Sequence, residues 1–177
     1  MKNKNLIGAF LFSSLLTLSP AHSRDKIVGG EKVTDPNEVP FMVSLSGACG
    51  GSIISDQWVL TAAHCAGYFS EVKGGILNLR DQGFKFKIKR VIKHPKFNRT
   101  TMTNDFALVE LSEKIDFETT KLKAVKVATP TFEQDGHQSA GMDSTVFGFG
   151  NIGENRYNYT KDLNKVIVPI VSNEDAN

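Results

Sequence analysis

Trp58-Val59-Leu60-Thr61-Ala62-Ala63-His64-Cys65 holds a strand, the end of that strand and two reactive side chains in one short stretch. An aromatic and branched apolar run such as Trp58 to Thr61 fits a pleated, half-buried surface. Ala62 and Ala63 are small enough for close backbone packing, and an imidazole then follows beside a sulfur. Upstream, Cys49-Gly50-Gly51-Ser52-Ile53-Ile54 sets a second cysteine ahead of two glycines and another short apolar run. The chain has 2 cysteines. In an oxidising compartment Cys49 and Cys65 are expected to form a disulfide that pins His64 through its neighbour. A loop of this size would stabilise the fold by about 3 kcal/mol. A zinc site is the alternative, because His64 adjoins Cys65, but two further ligands at metal spacing are missing.

Outward from this stretch the pattern is short apolar segments divided by Gly, Pro, Asn and Asp, the punctuation of an all-β sandwich or barrel. Strands are expected over residues 41–45, 52–54, 58–61, 76–79, 84–92 and 107–111. Phe84, Phe86 and Ile88 alternate with Lys85, Lys87 and Lys89, the period-2 signature of a strand with one buried face. The lysines, with Arg90, read as a solvated strand face. A second group of strands is expected over 144–149 and 165–171, separated by a loop at 150–161, and residues 118–130 read as an irregular crossing linker. No internal repeat or low-complexity tract interrupts the 177 residues.

The first 23 residues stand apart. Lys2 and Lys4 open the chain, residues 6–18 are apolar, and Ala21-His22-Ser23 offers small residues at cleavage-site positions. This is the pattern of a secretory signal peptide, and the apolar run is shorter than the roughly 20 residues that a membrane-spanning helix needs. Residues 24–26 would form a short propeptide ahead of a domain at 27–177. The formal net charge of +2 rests on basic residues in this leader and disappears once residues 1–26 are removed. The remaining chain gives no electrostatic reason to expect a nucleic acid or an anionic membrane as a partner.

Three segments together resemble the trypsin or chymotrypsin family of serine endopeptidases, and the resemblance runs collinearly from Ile27 to the end. Lys26-Ile27-Val28-Gly29-Gly30 is similar to the family's activation junction, although alone it would read as a Gly-Gly turn after a charged linker. Cys49 to Ile54 and Trp58 to Cys65 are similar to the segments around the family's catalytic histidine, which implies that His64 is the general base. Asn104-Asp105-Phe106-Ala107-Leu108-Val109-Glu110-Leu111 is similar to the segment carrying the triad aspartate, which implies that Asp105 orients the imidazole. By itself Asn104-Asp105 would equally suit a turn ahead of a strand. Among the other histidines, His22 lies in the leader, His94 in a His-Pro turn and His137 in a polar loop, and none needs a special role.

The resemblance implies a double β-barrel, with the first barrel complete and the second incomplete. Val146-Phe147-Gly148-Phe149-Gly150 is similar to the turn entering the second barrel, with Phe149 where tryptophan is usual, and residues 166–172 are similar to the strand that follows. The family's Gly-Asp-Ser-Gly-Gly segment is absent from these 177 residues. Ser139 and Ser144 lack its flanking glycines, whose backbone N–H groups would face the oxyanion. The expectation is a secreted zymogen, extracellular or periplasmic, whose serine lies beyond this chain and which is inert as these 177 residues alone. It would act on proteins or peptides without cofactor or metal, after cleavage between Lys26 and Ile27 by an activating protease or by itself. A calcium-stabilised module finds little support, because residues 72–80 contain no carboxylate. The competing class is a non-catalytic secreted binding protein with a protease-like fold.

Overall fold

The computed structural model describes residues 30–131, 136, 139–150 and 160–172. The expected leader, the junction at Lys26 and Ile27, His137 and most of the loop at 150–161 lie outside the described residues. The first strand, β1 (Glu31–Lys32), is followed by a 3-10 turn at Pro36–Glu38. Six strands then close a barrel: β2 (Met42–Leu45), β3 (Cys49–Ile53), β4 (Trp58–Thr61), β5 (Glu71–Gly74), β6 (Phe84–Lys93) and β7 (Ala107–Leu111), in the order β2-β3-β4-β7-β6-β5. A one-turn helix, α1 (Phe117–Thr120), leads away from the barrel. The strands β8 (Asp143–Gly148) and β9 (Asn164–Pro169) then form a second sheet with β1, ordered β1-β9-β8.

The barrel closes around Val43, Leu45, Ile53, Val59, Val72, Val109 and Leu111, with Ile115 and Leu122 capping the cluster. Each fully buried valine or leucine contributes on the order of 1.5–3 kcal/mol by leaving water. Gly51 fits because nothing larger would. A Cβ there would stand 2.9 Å from Val59 Cγ1 and 3.0 Å from the Leu60 carbonyl oxygen. All four residues of β2 are buried. Val43 and Leu45 face the barrel interior, whereas Met42 joins Val33, Val39 and Leu163 in a second cluster against which Phe41, Leu77, Phe147 and Phe149 pack. Burial on both faces explains why this strand reads as a nearly continuous apolar run.

The all-β architecture and most strands match the sequence reading to within about two residues, the usual latitude of strand ends. Residues 76–79 correct it, because β5 lies earlier and this stretch makes only an isolated antiparallel bridge, Asn78 to Asp162, before turning. Gly75 adopts φ +68°, and Asp81 Oδ2 accepts from the backbone N–H groups of Leu77 and Asn78. The apolar side chains there serve packing instead: Ile76 is buried and Leu77 packs against the second cluster. The linker at 118–130 begins inside α1, whose Asp116 cap accepts from Glu118 and Thr119. Beyond α1 it crosses the barrel in an irregular path, tied by Lys123 N–H to Pro40 O and Val125 N–H to Ile53 O.

Candidate active site

The register of β4 against β7 brings the site together. Thr61 pairs with Ala107, so the chain leaving β4 runs beside the chain entering β7, and residues 41 apart in sequence meet. Ala62 remains extended, and Ala63–Cys65 then make a single 3-10 turn. This turn buries Ala63 and Cys65 and leaves His64 outside. The disulfide Cys49–Cys65 fastens the turn to β3, and Thr61 Oγ1 donates to the Gly50 carbonyl at 2.8 Å beside it.

Asp105 grips His64 twice. Oδ1 accepts the His64 backbone N–H at 2.8 Å, and Oδ2 lies 2.6 Å from Nδ1. The hydrogen bond from the His64 side chain, helped by the His64 and Ala63 backbone N–H groups, holds the Asp105 carboxyl below the usual carboxylate range against the opposing effect of partial burial. An ionised carboxylate can only accept, so Nδ1 carries a proton toward it, and Nε2 lies on the other side of the ring, 3.5 Å from Cys65 Sγ. The Asp105 side chain is 20% exposed and that of His64 46%, so the acid is sheltered while the ring is open to a reactant.

The backbone around Asp105 is shaped by Asn104, whose turn the sequence pattern suits, and by His94, to which the sequence assigns no special role. Asn104 takes the left-handed conformation, φ +54°, and its side chain donates to the Lys96 carbonyl at 3.1 Å. The Phe106 ring lies 4.5 Å from that of His94, whose N–H donates to the Phe106 carbonyl. His94 therefore braces the strand entry. An Asn-Asp pair before a strand is the sequence signal for such a turn.

Cys49, His64 and Cys65 place their potential ligand atoms within 4.8 Å of one another. Both sulfurs are shared in the disulfide, so one imidazole remains and the zinc alternative is excluded at this cluster. In the turn after β5 the Lys73 ammonium donates to the carbonyls of Leu79 and Asp81 at 2.8 and 3.0 Å. Ser139 lies in a turn in which its N–H donates to the Gly136 carbonyl, and Ser144 lies on β8. Neither contacts His64 among the described hydrogen bonds.

A closed six-stranded antiparallel barrel joined to a second sheet, with a histidine and an aspartate paired at its edge, defines the architecture of the trypsin-like serine proteases. The trypsin family model matches residues 27–177, and the chain belongs to that family. It is 35% identical to anionic trypsin of Bos taurus over 163 residues, covering 89% of this chain and 63% of the relative. It is also 36% identical to trypsin 5G1 of Aedes aegypti over 162 residues, covering 87% and 58%. With trypsin II-P29 of Gallus gallus it shares 33% identity over 158 residues, covering 86% and 60%. The chain thus spans about three fifths of the length of these relatives.

Proposed function

We propose that this chain supplies the general base and its orienting acid to a secreted serine endopeptidase. The observation that carries this reading is the double hold of Asp105 on His64, through backbone N–H and ring Nδ1 together. It leaves Nε2 as the proton acceptor. In the proposed reaction a serine hydroxyl, from a Gly-Asp-Ser-Gly-Gly segment outside these 177 residues, attacks the peptide carbonyl while Nε2 takes its proton. The imidazolium is stabilised by Asp105. It then returns the proton to the departing amine, and water repeats the sequence on the acyl-enzyme.

Export and activation belong to the same proposal. Residues 1–23 direct secretion, 24–26 are removed, and cleavage after Lys26 creates the N-terminus at Ile27. The domain at 27–177 acts on proteins or peptides, and neither metal nor cofactor has a role in the chemistry. Trypsin treatment of the exported protein should yield a chain beginning at Ile27 together with a gain of peptidase activity. A stable, active form with another N-terminus would overturn the zymogen reading.

A further inference from the structure

Tyr68 and Arg99 stand on the two segments that carry the candidate site. Tyr68 closes the turn after His64, its N–H donating to the Cys65 carbonyl at 3.1 Å, yet the residue is 61% exposed. Arg99 lies in the turn closed by the Asn98–Thr103 bridge, just before Asp105. Its Nη2 donates to the Tyr68 hydroxyl at 3.1 Å, and the guanidinium carbon is 5.9 Å from the ring centroid. Arg99 holds the phenol's pKa below its ordinary value, and Lys93 adds to this effect. No ion pair among the described residues engages Arg99 or Lys93. Two cations therefore share this rim with a phenol and no paired carboxylate.

We infer that the Tyr68–Arg99 pair is a carboxylate-accepting subsite on the rim of the His64–Asp105 site, favouring peptides with Asp or Glu close to the bond cleaved. The inference rests on the endopeptidase reading for its substrate. A guanidinium has five N–H donors in a planar fork, and Tyr68 takes one, leaving others for a carboxylate. Contact with the ring restrains the guanidinium before anything binds, so less side-chain freedom is lost on binding. The pair is exposed, so the expected gain is modest, about three- to fivefold, and it weakens as salt screens the charges.

The test compares kcat/KM of the serine-containing protein on matched peptides with Glu, Gln or Lys at each position flanking the cleaved bond. A preference for Glu over Gln of about three- to fivefold is expected at low salt at one position. It should vanish in Arg99→Gln and shrink in 0.5 M NaCl, while that variant cleaves the Gln peptide within about twofold of wild type. An equal loss on all three peptides would mean that Arg99 only straps the two segments, and it would overturn the subsite. A second measurement needs no catalysis. In His64→Ala protein, the Glu peptide should shift the Arg99 Nε–H resonance and the Lys peptide should not. Absence of hydrolysis with that selective shift present would defeat the endopeptidase reading and leave the subsite standing. Hydrolysis without Glu preference or shift would defeat the subsite alone.

Discussion

Asp105 has little freedom beside His64. Its two oxygens are aimed at two N–H groups of one residue, so the carboxylate fixes both the position of the His64 turn and the ring tautomer. Replacing it with asparagine would put an amide donor against Nδ1 and drive the ring proton to Nε2. Asp105→Asn should therefore lower kcat of the serine-containing protein by about 10⁴-fold with little change in fold. The pH dependence follows from the depressed carboxyl pKa. Stability from the His64–Asp105 contact is present above the unfolded aspartate value, near 4, and is lost as pH falls through the lower folded value. Acid titration followed by circular dichroism should show a shallower loss of stability in Asp105→Asn than in wild type. Gly51 is equally constrained for a steric reason, and Gly51→Ala should destabilise the barrel by about 1–3 kcal/mol in urea unfolding.

At the scale of elements, the barrel was legible wherever one face of a strand is buried and the other wet. Phe84, Phe86 and Ile88 against Lys85, Lys87 and Lys89 is such a pattern and β6 lies there, but its apolar face is only partly covered: Phe86 and Ile88 are half-buried against the core and Phe84 is 39% exposed. It failed at β5, whose Glu71-Val72-Lys73-Gly74 carries one large apolar residue, while in the neighbouring 76–79 run Ile76 is buried and Leu77 packs against the second cluster. It also failed at β1, two charged residues held by pairing with β9. The pairing of His64 with Asp105 could be anticipated from local motifs. The contact between Tyr68 and Arg99 could not, since it depends on where two turns meet across 31 residues. On β7, the buried Glu110 side chain is held by Lys89 at 2.8 Å and by Arg90, and these contacts lower its pKa. The disulfide ties the His64 turn to β3 across 16 residues. Replacing both Cys49 and Cys65 with alanine should cost about 3 kcal/mol in chemical denaturation. A loss well under 1 kcal/mol would mean that the hydrogen bonds of Thr61 and Asp105 hold the turn unaided.

For the molecule as a whole, the two sheets differ in how well they are enclosed. The barrel closes on itself, whereas β8 has only β9 as a strand neighbour among the described residues. Val146, Ile167 and Val171 in and beside that pair are 44, 64 and 60% exposed. Open edges and wet apolar faces invite association. The isolated 177-residue polypeptide should therefore bind hydrophobic dye and hydrolyse no peptide ester above background, and a monomeric, dye-silent and active preparation would contradict this. The central claim is that His64 and Asp105 activate a serine carried outside these residues. Its most direct test is labelling of the exported, Ile27-processed protein with a fluorophosphonate, followed by peptide mapping. The expected result is one labelled serine in a Gly-Asp-Ser-Gly-Gly segment, with labelling slowed by several orders of magnitude in His64→Ala. Label on Ser139 or Ser144, or a labelling rate indifferent to His64→Ala, would contradict it.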